Sequence, residues 1–294
     1  MQLDNTRIAV RQRTLLETLD LALVVIREFF HPWLSTTLMM VVPLWIINYL
    51  LIGWMANEDL ENGDFPFRFT WNMLLLIYLE APLASIFTVA FFGPAVFMQN
   101  PKLKQVARDL LKVSPALLFC HGFLRGVLPA WGLLLLVDEY EASPVEFFFL
   151  PMICLWSTGM RIARPFISEI ILLEKNPLRA KRPGQISINM RSADLHGPSF
   201  GDLFVQWMAS VLVGVFLYAL FAFSLSILAH FLLSDSDLNW WKLQFLYPGV
   251  GWLVVGYFSI VRFLNYVDLR IRHEGWEVDL LMRAEAIRLS GRML

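Results

Sequence analysis

Charge is what this chain has least of. Only 17% of its 294 residues are Asp, Glu, Lys or Arg, whereas a soluble domain carries about a quarter. Cysteine is scarcer still, with two in all. Cys120 and Cys154 both sit in apolar runs, with neither a Cys-x-x-Cys spacing nor a histidine at ligand spacing. That argues against a disulfide framework, a redox dithiol and a thiolate metal centre, and leaves two buried apolar thiols. The nucleotide-binding pattern Gly-x-x-x-x-Gly-Lys-Ser/Thr, the zinc pattern His-Glu-x-x-His and the nucleophile turn Gly-x-Ser-x-Gly are also missing. His31, His121, His196, His230 and His273 are scattered without ligand spacing. Nothing in the sequence therefore argues for an enzyme, a cofactor or a metal. A net charge of −1 gives no basis for nucleic-acid binding.

What the chain has in abundance is apolar sequence. Fifty-seven per cent of it is hydrophobic, gathered in blocks long enough to span a bilayer, which takes about 20 residues as helix. No cleavable leader is expected, because residues 1–13 are polar and the first apolar block comes late. The blocks lack a barrel's alternation, and hydrocarbon demands internal partners for every backbone group. The expected fold is therefore all-α, a polytopic helical bundle with about six transmembrane helices at 33–56, 71–97, 113–137, 144–163, 203–233 and 243–264. An amphipathic arm (1–32) precedes this membrane domain (33–264). A cytoplasmic loop covers 164–202, and a charged amphipathic helix (265–294) follows.

Arginine and lysine set the orientation. They crowd the arm, the segments after the second and fourth spans, and the tail, while the alternate loops hold only Arg68 and Lys242. Those loops carry Glu58, Asp59, Glu61, Asp64, Asp138, Glu139, Glu141 and Glu146 instead, read as solvated surface. By the positive-inside rule both termini face the cytoplasm. The arm has apolar residues at helical spacing, Leu15, Leu19, Leu23 and Ile26. It is suited either to the membrane interface or to packing under the bundle, with a turn at His31–Pro32.

Two stretches carry polar groups where they are costly. In "FCHGFLRG", Arg125 falls midway along the third span with His121 one turn earlier, and Glu80 lies within the second. Charges at that depth suggest a site by default. Glu80, His121 and Arg125 are the candidate ligand-binding residues, for an anionic headgroup or a proton relay. A Glu80–Arg125 ion pair between neighbouring spans is the bland alternative. In the tail, "YVDLRIRHEG", Asp268 and Arg272 are four apart, as are Arg270 and Glu274. These four form a candidate partner-docking face, or a cap under the bundle, with Gly275 as a helix break.

This ending, Tyr266 to Ala284, resembles that of bacterial multi-span proteins related to the membrane domain of glycerophosphoryl diester phosphodiesterase. The segments "ISEIILLEKNPLRA" and "GDLFVQW" are similar to others in that group. The resemblance implies a six-span layout and a bacterial cytoplasmic membrane. It implies no activity, because the phosphodiesterase catalytic domain has no counterpart here. The expectation that follows is a non-enzymatic scaffold or accessory subunit in contact with membrane lipids and a protein partner. The alternative is a transporter or lipid-handling protein built on Glu80, His121 and Arg125.

Overall fold

The computed structural model describes residues 13–61, 65–96, 101–137, 144–180, 185–233 and 238–275, and among these the secondary structure is all helix, with no strand. Helix α1 (Leu15–Glu28) leads at a bend on Phe29 into α2 (Phe30–Glu61). Next come α3 (Phe67–Ala84), α4 (Ile86–Val96) and α5 (Leu103–Leu117), which widens into π-turns over Leu118–Leu124. The chain continues through α6 (Val127–Leu134), α7 (Pro144–Ala163), α8 (Ile167–Glu169, widening over Ile170–Glu174) and α9 (Ile188–His196). Helices α10 (Phe200–Leu233) and α11 (Tyr247–Glu274) complete it, α11 preceded by a π-turn over Lys242–Leu246.

Among the described residues, four helical stretches are long and apolar enough to cross a membrane: Phe30–Asn57, Phe67–Val96, Phe200–Leu232 and Lys242–Glu274. A bent pair, Leu103–Leu124 with Val127–Leu134 at 58°, makes a fifth if it counts as one span. Helix α7 is not among them.

Helix α11 is the centre of the packing and touches α1, α3, α4, α9 and α10. Close approach is possible where Gly256 lets Trp33 and Thr37 of α2 come in, and Trp33 Nε1 donates to the Gly256 carbonyl at 3.1 Å. Helix α1 begins with a capping box, Thr14 and Glu17 each bonding the other's backbone N–H, at 3.4 and 2.9 Å. Its buried face (Thr18, Leu19, Ala22, Val25) packs on α11, and Tyr257 donates to the Leu19 carbonyl at 3.1 Å. Leu16, Leu23 and Val24 stay exposed. The arm thus lies against the bundle while still presenting apolar side chains. The bend falls at Phe29, because Pro32 sits in the first turn of α2, where no helical N–H is needed.

The third expected span is not the straight helix of 113–137. It starts at Leu103 and breaks after Leu124, with Gly126 in the left-handed region at φ 83°. A Cβ there would lie 2.4 Å from Ile153 of α7, so Gly126 meets both a backbone and a packing demand. Alanine at 126 is expected to destabilise the protein by about 1–2 kcal/mol from backbone strain, plus the clash. Thermal melts in lipid nanodiscs should show Gly126→Ala recovering only its steric share when combined with Ile153→Ala.

Candidate functional site

Most of the buried charged groups fall into four clusters, and α3 threads two of them. Arg68, Asn72 and Glu80 stand at multiples of four residues along α3 and so share a face. At one end Arg68 Nε donates to Glu146 Oε1 of α7 at 2.9 Å, and Asn72 Nδ2 reaches Glu146 Oε2 at 3.3 Å. The Arg68 guanidinium also sits 4.8 Å over the Trp54 ring. Glu146 and Arg68 are therefore a buried pair and not solvated loop charges, a correction to the sequence reading. Each lies in the first turn of its helix, and both side chains are buried.

Two turns on from Asn72 along α3, Glu80 is fully buried. Its carboxylate accepts from Asn48 Nδ2 of α2 at 2.8 Å and from Trp131 Nε1 of α6 at 2.7 Å. Arg125 is not its partner: Arg125 Nη2 donates to the Arg164 carbonyl at 3.0 Å, capping the C-terminal end of α7. The break at Gly126 separates Trp131, which stays with Glu80, from Arg125, which turns to α7. The structure thus assigns Glu80 to one cluster and His121 with Arg125 to another.

That second cluster is rich in cations. Arg125 feels the charges of Arg161, Arg262 and Glu169, and His121 those of Arg125, Arg262 and Arg161. Arg262 of α11 donates to Glu169 Oε1 at 2.7 Å and to Ser85 Oγ, at the α3–α4 junction, at 2.8 Å. His121 Nε2 meets Ser168 Oγ at 3.0 Å. Arg161 stacks 3.9 Å over the Tyr78 ring and donates to the carbonyls of Tyr78 and Leu79. The Tyr78 carbonyl is the one left without its helical donor by Pro82, so a charged side chain replaces a missing N–H. Arg125 Nε, Arg161 Nε, His121 Nδ1 and Glu169 Oε2 are buried with no hydrogen-bond partner among the described residues.

Helix α9 lies alongside. His196 is buried, its Nδ1 meets Ser192 Oγ at 3.0 Å, and its ring lies 5.7 Å from Phe166. Burial first, then the charges of Arg164, Arg125 and His273, push its pKa down to about 4.

The tail motif forms the remaining cluster. Glu174 is held by both arms of Arg191 at 2.7 and 3.0 Å and by Tyr266 Oη at 2.7 Å. Arg191 reaches on to Glu274 at 2.5 Å, and Arg270 grips Glu274 at 3.0 and 2.7 Å. Asp268 accepts from the backbone N–H of Arg13 at 2.8 Å, while Arg272 donates to the Arg13 carbonyl at 2.9 Å and pairs with Asp268 at 2.6 Å. All four residues read as a docking face thus bond within the chain.

Sequence reasoning counted Arg161, Arg191 and Arg262 only as orientation signals and passed over Glu169, Glu174 and Ser168. One signal was there: Glu169 interrupts the otherwise apolar run "FISEIILL". Cys120 and Cys154 are buried and free, and no group of three or more metal-binding side chains comes together among the described residues.

Two outcomes follow. The Glu174→Gln and Arg191→Gln effects on melting temperature should be strongly non-additive, with a coupling of about 1–3 kcal/mol. His196, with a folded pKa of about 4 against 6.5 unfolded, contributes full stability above pH 6.5 and loses it as the pH falls towards 4. The melting temperature should drop across that window, and His196→Asn should flatten that part of the profile.

Set beside known families, curated proteins and solved structures, the chain matches none.

Proposed function

We propose that the chain is an integral protein of the bacterial cytoplasmic membrane that handles an anionic group, lipid-borne or free, at the Arg125 cluster. In this reading it crosses the membrane six times, with α7 as the fourth crossing and the bent pair as the third, and keeps both termini inside. The sidedness of its arginines and lysines supports the orientation. The resemblance of its tail to the membrane-domain group supports the location.

One observation carries the choice of function. Buried Arg125 and partly buried Arg161 and Arg262 come together near a single carboxylate, Glu169, and two of their guanidinium nitrogens are buried and unpartnered among the described residues. Cations in hydrocarbon are retained where they pair or bind. The ligand residues of this reading are Arg125 and His121, joined by Arg161, Arg262 and Ser168. Glu80 is a separate buried acid. A scaffold docking through Asp268, Arg270, Arg272 and Glu274 has less support, because those charges are already spent on Arg13, Glu174 and Arg191.

Purification in native-lipid particles followed by mass spectrometry tests this. The wild type should retain a stoichiometric anionic lipid or small anion that Arg125→Met loses at least tenfold. A retained protein partner lost on Arg270→Glu with Arg272→Glu, and no retained anion, would return the function to scaffolding.

A further inference from the structure

The charge balance of the cluster says more about the anion than that it is negative. Glu169 pairs with Arg262 at 2.7 Å, and neither the buried Arg125 nor the partly buried Arg161 has a carboxylate in ion-pair contact among the described residues, which leaves two positive charges unmatched. Arg164, half-buried at the end of α7, adds a further cation at the edge. A buried charge without a counter-charge is strongly unfavourable. A singly charged ligand would leave one of the two cations unmatched, and a doubly charged one matches both.

The donors suit a tetrahedral oxyanion. Arg125 Nε and Arg161 Nε belong to planar guanidinium forks that match oxygen pairs. Ser168 Oγ and His121 Nε2 share a hydrogen bond at 3.0 Å, and in the tautomer in which the hydroxyl donates, His121 offers an N–H at Nδ1, the buried nitrogen that lacks a partner among the described residues. Access is from the end of α7, since Arg161 and Arg164 are partly exposed while Arg125, His121 and Glu169 are buried.

Resting on the anion-handling reading, we infer that the cluster takes a phosphate-monoester-type dianion, inorganic phosphate or the terminal phosphate of a lipid, in preference to a singly charged phosphodiester. A phosphate with a second pKa of about 6 carries close to two charges at pH 7, whereas the diester of an ordinary phospholipid carries one.

The test uses the full chain in phosphatidylcholine nanodiscs and follows its melting temperature. Inorganic phosphate is titrated into one set. Phosphatidic acid or phosphatidylglycerol, matched for surface charge, is included in the others. A shift with phosphatidic acid or phosphate, at least tenfold less ligand being needed than with phosphatidylglycerol, supports the inference. That shift should weaken as the pH falls below about 6 and be lost in Arg125→Met. Should Arg125→Met fail to fold, Arg161→Gln, on the partly exposed side, reports the same loss. A response to inorganic phosphate assigns a free anion, and a response to phosphatidic acid alone assigns a lipid headgroup. Equal shifts with phosphatidylglycerol overturn the dianion but leave the anion-handling reading standing. No shift with any of the three, or a shift unchanged in both variants, overturns both.

Discussion

A charge buried away from water has no solvent to fall back on, and the architecture of this protein follows from meeting that demand one group at a time. The Arg262–Glu169 pair shows what is gained. It joins α11 to α8 and, through Ser85, to the junction of α3 and α4, so three helical elements are held in register by one guanidinium. Geometry of this quality is what allows a buried pair to offset the desolvation of its members. Removing either partner would leave the other exposed to the full penalty. Arg68 with Glu146 performs the same task at the opposite end of α3, with Trp54 covering the cation. The two pairs fasten α3 at both ends, and Glu80 between them is held by neutral donors from α2 and α6.

The backbone obeys the same constraint. Prolines within helices strip a carbonyl of its donor, and in a membrane that carbonyl must be served by something else. Arg161 serves Tyr78, whose donor Pro82 removes. Ser114 Oγ serves Leu111, whose donor Pro115 removes, at 2.9 Å. In the first case the repair brings a positive charge to the partly buried end of α7, close enough to Arg125 to be felt. The cation cluster is therefore partly a product of how the helices were bent. A proline kink, an arginine that mends it and a second arginine that caps α7 together make the excess charge on which the functional reading rests.

Composition and periodicity were enough to show an all-helical fold with helices long and apolar enough to cross a membrane, because an apolar block of about 20 residues has few other ways to fold. The helix break at Gly275 and the burial of both cysteines were legible for the same local reasons. Pairing was not. Arg125 and Glu80 lie on neighbouring elements, yet a single left-handed glycine at 126 sends the arginine to α7 and leaves the glutamate to Asn48 and Trp131. No periodicity reveals that, because it depends on where α7 ends. Glu146 misled for a related reason: it stands beside an acidic loop in sequence but faces Arg68 in space. Position in the sequence sorts charges by loop, and it takes tertiary contact to show which of them have left the loop for the interior.

The dense alternation of acids and arginines in the tail has a geometric origin. A helix turns about 100° per residue, so residues two apart point to nearly opposite sides while residues four apart nearly coincide. Tyr266, Arg270 and Glu274 therefore make one row, and Asp268 with Arg272 another on the far side. The first row grips Glu174 and Arg191, from the segment between α7 and α10. The second grips both backbone groups of Arg13 at the chain's N-terminal side. A single helix, α11, thus fastens two segments that are remote in sequence, and it needs charges on both sides to do so. Alternation at a spacing of two, which reads as a strand-like pattern, is here the signature of a helix clamped from both flanks. That clamp also fixes α9, and with it His196, beside Arg125 and Arg164, so the ionic frame on the rim and the cation cluster inside form one connected structure.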